Sequence, residues 1–344
     1  MTKLRMAAVG LDHRHIYGMS QGMMDAGAEL VGFWTKGTPQ PLAGFRKRFP
    51  DVEEVEELQS LLDDESIQLL LIAAAPEDRA ELSIQAMEHG KDVMLDKPGC
   101  LTLSELDRIR SCIDQTGRIW SVNFSERFEV PAVTEADKLL ARGMIGQVVQ
   151  TISMGPHRLN AQTRPDWFWD ASRCGGILTD IGTHQIDQFL HFANASDARI
   201  VSTAVGNFAH PDKPQFQDYG EINLATDRCQ GYARLDWFTP DALSTWGDGR
   251  LTILGTEGYI ELRKYIDITR NSSANHVFLV NNDTCTYIDA SAAGTPYFSR
   301  LSDDIRDRTE TACSQSHTLK VMELAIVAQT QAEKRGALIQ TNDK

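Results

Sequence analysis

Across its first 124 residues the chain alternates short apolar runs with longer amphipathic stretches, and this alternation limits the possible folds more than any other feature. Residues 6–9 form an apolar run that ends at Gly10, and runs of the same kind occupy 29–34, 68–75, 92–95 and 119–123. Runs this short and this apolar read as strands buried on both faces, as in a parallel sheet. Between them, 16–26, 55–62, 80–89 and 103–115 carry helical periodicity, and 45–49 is a shorter amphipathic stretch. Gly27 and Gly90 stand as helix stops, and Pro76 as the end of the third long strand. The expected fold is α/β, with a doubly wound parallel sheet and helices on both faces.

Past residue 124 the rhythm changes. One helix is expected over 132–142, then strands over 148–154, 200–209, 219–225 and 231–238. Two hairpins follow: 251–254 with 259–262 around Gly255-Thr256-Glu257-Gly258, and 277–280 with 284–288 around Asn281-Asn282-Asp283. Short loops of this kind predict a large, mostly antiparallel sheet in an α+β domain. The tail over 318–334 reads as a helix with Leu319, Met322 and Ile326 on one face. We therefore divide the chain into 1–124, a dinucleotide-binding domain of Rossmann type, and 125–344, a domain for substrate binding and oligomerisation. A broad antiparallel sheet with one uncovered face predicts a homodimer or homotetramer.

Composition removes several classes of partner. The formal net charge is −14 and there is no long basic run, which argues against nucleic acid or an anionic membrane. No stretch approaches the roughly 20 apolar residues needed to span a bilayer. The six cysteines are scattered without a C-x-x-C pair, the pattern of reduced thiols in a cytoplasmic protein. The N-terminus runs directly into the first strand, leaving no room for a signal peptide.

A dinucleotide domain needs a tight turn after its first strand, so that the pyrophosphate can rest on a helix N-terminus. The turn here reads Gly10-Leu11-Asp12-His13-Arg14-His15 and keeps the first glycine of the usual G-x-G-x-x-G. The Asp12 carboxylate would repel a phosphate and Arg14 would offset it. His13 and His15 either donate to the phosphate or cap the turn. At the end of the second strand stands Trp34-Thr35-Lys36. A hydroxyl and a cation suit a 2′-phosphate better than a ribose diol, so NADP is preferred to NAD. The plainer alternative for Lys36 is a solvated loop lysine.

Further motifs follow in order: Asp96-Lys97-Pro98 after an apolar run, Asn123-Phe124-Ser125-Glu126-Arg127-Phe128 where the rhythm changes, and Trp167-Phe168-Trp169-Asp170. Then comes Gly175-Gly176, with Asp180, Gly182, His184 and Asp187 behind it. Asp180 and His184 are four apart, so on a helix they share a face. Gly175 and Gly176 permit a tight helix entry, and Gly182 allows a ligand to approach closely.

This order of motifs resembles the glucose–fructose oxidoreductase / inositol dehydrogenase / MocA family over nearly the whole chain. The resemblance implies NAD(P)-dependent oxidoreduction of a secondary alcohol in a sugar, cyclitol or related polyol. It places the family's strand-end lysine at Lys97, its helix aspartate at Asp180 and its helix histidine at His184. Asp96 stands where the family usually has glutamate, one methylene longer. Ala75-Pro76 opens the segment that corresponds to the family's cofactor-contacting Thr-Pro-Asn-x-x-His. An imidazole with an intrinsic pKa near ~6.5 suits proton transfer. Lys97 can hydrogen-bond the reacting oxygen, and Asp180 can orient the substrate or the histidine. Trp167 and Trp169 are candidates for stacking on a sugar ring, His157 and Arg158 for binding hydroxyls or a carboxylate, and Asn123 for reaching substrate or nicotinamide. The expected catalytic set contains no metal. Three other functions use the same residues: glycoside cleavage assisted by a retained cofactor, a non-catalytic nucleotide or sugar sensor, and a metal hydrolase built on Asp180, His184 and His157.

Overall fold

A computed structural model describes residues 3–270 and 273–336. The first sheet has six strands: β1 (Arg5–Leu11), β2 (Glu29–Trp34), β3 (Glu53–Glu54), β4 (Leu69–Ala73), β5 (Asp92–Asp96) and β6 (Trp120–Asn123). Their order is β3-β2-β1-β4-β5-β6, with every pair parallel. β4 and β5 are buried throughout, which is why all of β4 and the three central residues of β5 are apolar. The order reverses between β1 and β4, and a ligand crevice opens beyond the carboxyl ends of strands at such a point.

Two expectations are corrected here. β3 was not anticipated, because it consists of two exposed acidic residues on the sheet edge and has no apolar signature. The Val55 amide continues this edge by donating to Phe33 O at 3.0 Å, so the following helix starts later and spans Leu58–Asp63. In addition, Pro76 does more than end a strand. It is the first residue of helix Pro76–Glu88, a position where the missing N–H would have had no partner.

The second sheet has eight strands: β7 (Val148–Pro156), β8 (Arg199–Gly206), β9 (Tyr219–Ala225), β10 (Gln230–Asp236), β11 (Arg250–Gly255), β12 (Gly258–Arg263), β13 (His276–Asn281) and β14 (Cys285–Asp289). In the order β14-β13-β12-β11-β7-β10-β9-β8, only β7 and β10 run parallel. Helix Gly182–Phe192 packs on one face of this sheet. A Cβ at Gly182 would lie 3.1 Å from Ile222 Cδ1 and 3.4 Å from Leu235 Cδ1. That glycine therefore serves helix–sheet packing, and not the close ligand approach expected from the sequence. Ile152, Val201, Leu254 and Tyr259 remain exposed on strands of the same sheet.

The chain then returns to the first sheet. Helix Tyr297–Asp307 was not anticipated, although Tyr297, Leu301 and Ile305 are buried at helical spacing. Its Tyr297 hydroxyl shares a 2.8 Å hydrogen bond with Ser121 Oγ of β6. Arg308 pairs with Asp92 of β5 at 2.8 Å. The last helix, Gln315–Arg335, begins with Gln315 Oε1 accepting from the Trp120 amide at 2.9 Å. Among the described residues no helix is long and apolar enough to cross a membrane.

Candidate active site

The carboxyl ends of β1 and β5 form one wall of a cleft of about 430 Å³, and the segment after β7 with the start of helix Gly182–Phe192 forms the other. Lys97 leaves β5 and precedes a cis peptide bond to Pro98. Its side chain is 4% exposed, and Nζ donates to Asp180 Oδ1 at 2.6 Å. Asp180 closes helix Gly176–Asp180. Gly175 and Gly176 have φ of +91° and +75°, and a Cβ on Gly176 would sit 2.3 Å from Gln329 Nε2, so glycine is required for this helix entry. The single helix expected to carry both Asp180 and His184 is two helices. Ile181 joins them with helical backbone angles, its amide donating to Ile177 O and its carbonyl accepting from the His184 amide. Both side chains line the cleft.

His184 is 1% exposed, and its Nδ1 has no hydrogen-bond partner among the described residues. Burial pushes its pKa down to about 3; Glu126 opposes this and the Lys97 charge reinforces it. The imidazole is therefore neutral, and does not titrate near working pH as its intrinsic value suggested. Glu126, which no sequence signal picked out, lies buried in helix Ser125–Phe128. Its Oε2 accepts from Lys264 Nζ at 2.7 Å and from Gln185 Nε2 at 3.0 Å. Burial would raise its carboxyl pKa, but the charge and hydrogen bond of Lys264 overcome that and hold it far below the usual range. Glu126 and Lys264 are separated by 138 residues, so only the fold could pair them. His157 lies between Trp246 and Trp237, at ring separations of 4.5 and 5.3 Å, and burial lowers its pKa to about 4.

The turn after β1 is held from within. Gly10 has φ +68°, and a Cβ there would come 2.4 Å from Ala74 Cβ. The amides of Asp12 and His13 both donate to Ala73 O, at 3.0 and 3.1 Å. Beneath the turn, Asp96 is fully buried and its carboxylate meets three cations or potential cations. His15 Nδ1 bonds Oδ1 at 2.7 Å and Arg79 Nη2 bonds Oδ2 at 2.9 Å. His13 Nδ1 is 2.8 Å from Oδ2 but out of line for a hydrogen bond. Burial favours the protonated Asp96; the Arg79 charge foremost outweighs it and keeps the group ionised. Arg79, 1% exposed, also donates to the carbonyls of Ala74, Asp96, Lys97 and Pro98, and so clamps the backbone that carries Lys97. The ligand atoms of His13, His15 and Asp96 lie within 4.8 Å of one another, close enough to surround a metal ion. Arg79 already supplies a counter-charge to that carboxylate. Asp180, His184 and His157 form no such convergent set among the described residues, and Asp180 is bound by a lysine.

Of the residues expected at the site, the cleft brings together Asp12, His13, Arg14, His15, Pro76 and Asp96 on one wall with Lys97. His157, Arg158, Trp167, Asp180 and His184 face them. Six others lie outside the lining. Gly10 shapes the turn, Thr35 Oγ1 accepts from the Leu11 amide at 3.1 Å, and Lys36 is exposed. Ala75 is buried at the start of its helix. Asn123 donates to Glu129 Oε1 at 2.7 Å, and Trp169 packs on Phe216 at 4.9 Å.

Residues 5–124 match the family profile described as "Oxidoreductase family, NAD-binding Rossmann fold", and residues 133–261 match "GFO/IDH/MocA C-terminal domain". A solved structure from Erwinia carotovora atroseptica SCRI1043 is 46% identical, covers 96% of this chain and 99% of its own, and superposes with a TM-score of 0.93. Scyllo-inositol 2-dehydrogenase (NADP(+)) IolW of Bacillus subtilis is 27% identical over 185 residues, 54% of this chain and 50% of that protein. Scyllo-inositol 2-dehydrogenase (NAD(+)) of the same organism is 26% identical over 273 residues, 75% of this chain and 73% of that protein. Across several other relatives the chain spans less than half of their length. The chain belongs to the GFO/IDH/MocA oxidoreductase family, and residues 5–124 are that family's NAD-binding Rossmann domain.

The crevice suits a nicotinamide dinucleotide unequally at its two ends. At one end an unpartnered imidazole nitrogen and a lysine with donors to spare stand beyond the carboxyl end of β5. At the phosphate end two turn amides are engaged by Ala73, which leaves Arg14 and the N-terminus of helix His15–Asp25 as the groups that would hold the anion.

Proposed function

We propose that this chain is an NAD(P)-dependent dehydrogenase or reductase that moves a hydride between nicotinamide and a secondary alcohol of a sugar, cyclitol or related polyol. The observation that carries this reading is the meeting of Lys97, Asp180 and His184 in one cleft, with Lys97 Nζ 2.6 Å from Asp180 Oδ1. When bound, nicotinamide supplies the carbon that accepts or gives the hydride. Lys97 has three N–H donors and gives one to Asp180, so two remain for the reacting oxygen. Asp180 fixes the ammonium in place. His184, neutral and buried, takes the hydroxyl proton at a ring nitrogen during oxidation and returns it during reduction. Trp167 and His157 offer the sugar ring an apolar face and a hydrogen bond.

NADP is the preferred cofactor in this proposal, because Lys36 is exposed at the end of β2, where a 2′-phosphate would lie. The domains divide at residue 124. The exposed Ile152, Val201, Leu254 and Tyr259 support pairing through the second sheet into a homodimer or homotetramer. Six unpaired cysteines suit the cytoplasm.

Native mass spectrometry of the purified protein would reveal a co-purifying nucleotide. Absorbance at the nicotinamide band would follow turnover with a panel of inositols, sugars and sugar acids. Bound NADP(H) and turnover of at least one polyol are expected. A folded protein that neither binds nucleotide nor turns over any polyol would overturn the proposal.

A further inference from the structure

The buried cations around the cleft each have an acid. Arg79 has Asp96 at 2.9 Å, Lys97 has Asp180 at 2.6 Å and Lys264 has Glu126 at 2.7 Å. Arg164 is the exception. It lies on the wall of the cleft formed after β7, with its guanidinium carbon 4.3 Å from the centre of the Phe168 ring and 4.8 Å from that of Trp237. Nε donates to Leu159 O at 2.7 Å and Nη2 to Arg158 O at 3.3 Å, both neutral carbonyls. Among the described residues no carboxylate reaches ion-pair distance of it. Asp180 acts on it only from afar, and Asp180 is already bound to Lys97. Arg164 is partly exposed, and the burial of the rest of it, with the Arg14 charge adding to it, pushes the guanidinium pKa down to about 10.

Arg158, beside it, adds a second guanidinium of the same kind. Its Nη2 donates to the carbonyls of Pro240 and Leu243, and its Nε is buried without a hydrogen-bond partner. The nearest acid, Asp241, is 3.8 Å away and fully exposed, where water screens it. In a chain of net charge −14, two guanidiniums on one wall of the cleft, one with no acid at ion-pair distance and one with only an exposed acid at 3.8 Å, leave room for an anion from outside.

We propose that Arg164, supported by the charge of Arg158, is an anion subsite, and that the substrate is a polyhydroxy carboxylate of the aldonate or uronate class, not a neutral polyol. This rests on the redox reading of the same cleft. Nε gives its one N–H and Nη2 one of its two to carbonyls, so Arg164 keeps one N–H on Nη2 and two on Nη1, and the parallel pair from Nη1 and Nη2 matches the two oxygens of a carboxylate. The held guanidinium is pre-set on its aromatic bed, so binding orders little that is not already ordered.

The test is calorimetric titration of the NADP⁺-loaded protein with D-gluconate and D-glucuronate, against D-glucose, myo-inositol and D-glucose 6-phosphate. The carboxylates should bind at least tenfold more tightly than the neutral polyols. Arg164→Gln should reduce that preference by on the order of tenfold to hundredfold, with Arg164→Lys recovering part of it. Arg164→Met, which keeps the apolar contact with the rings, should behave as Arg164→Gln does. Equal binding of acids and neutral polyols by the wild-type protein would overturn the subsite, as would tighter binding of the phosphate ester than of the carboxylates. A matching loss of NADP⁺ affinity in Arg164→Gln would assign the arginine to the cofactor and would also overturn it. Because binding is read without turnover, carboxylate binding in an inert protein would sink the redox function alone, and turnover restricted to neutral polyols would sink the subsite alone.

Discussion

The two sides of the cleft are built on opposite principles. On one side, Lys97 and Asp180 hold each other while His184 keeps an unpartnered nitrogen, so the groups are fixed in place with capacity left for a ligand. At the phosphate turn the same kinds of group are turned inward. Two amides serve Ala73, and His15 and Arg79 serve a buried Asp96, with His13 packed beside it. A shared sheet topology therefore does not imply shared readiness for ligand. A turn that binds phosphate through glycine amides can be replaced by one whose polar groups stabilise the fold.

The contrast is open to direct tests. Lys97→Met should lower kcat/KM by on the order of 10²–10⁴-fold while the protein remains folded. A loss below tenfold would detach the lysine from the chemistry. Asp96→Asn leaves Arg79 buried without its acid, and should reduce unfolding free energy by about 3 kcal/mol in a denaturant titration. An unchanged midpoint would show that the turn does not depend on this carboxylate.

A third test uses pH. His184, His157 and His13 have pKa values pushed down to about 3, 4 and 4 by burial, so the folded protein keeps them neutral where the unfolded chain protonates them. Their stabilising contribution is complete above ~6.5 and is lost as the pH falls from there toward 4, by up to about 1.4 kcal/mol per pH unit for each histidine. His184→Gln should flatten this slope. A slope that does not change would mean the imidazole protonates in place. The smallest expected effect is at Asp12, where burial raises the carboxyl pKa beside the phosphate turn. Asp12→Asn should tighten NADP⁺ binding about fivefold by removing a like charge, roughly 1 kcal/mol. Weaker binding would instead make this carboxylate a cofactor contact.

The elements carried by buried apolar runs were legible in the sequence. β1, β2, β4, β5 and β6 appear close to where the runs lie, and all eight strands of the second sheet follow from alternation and turn residues. β3 was missed because two exposed acids carry no hydrophobic pattern. Helix Tyr297–Asp307 was missed although its buried residues repeat at helical spacing, because acidic residues break its apolar stripe. Lys97, Asp180 and His184 were recognisable from motif and order. Glu126, Lys264, Arg79 and Arg164 were not, because what distinguishes them is the presence or absence of a partner distant in the chain.

The sequence alone determined the alternation that makes a parallel sheet, the change to antiparallel strands after residue 124, and the order of the motifs that carry Lys97, Asp180 and His184, because periodicity and residue type are local properties. The tertiary structure decided which charges are neutralised and which are not. It pairs Lys264 with Glu126 and Arg79 with Asp96, holds His184 neutral, and leaves Arg164 without an acid. Those outcomes depend on burial and on distances between residues that are remote in the chain, and a charge is stabilised or stranded only by what the fold brings within a few ångströms of it.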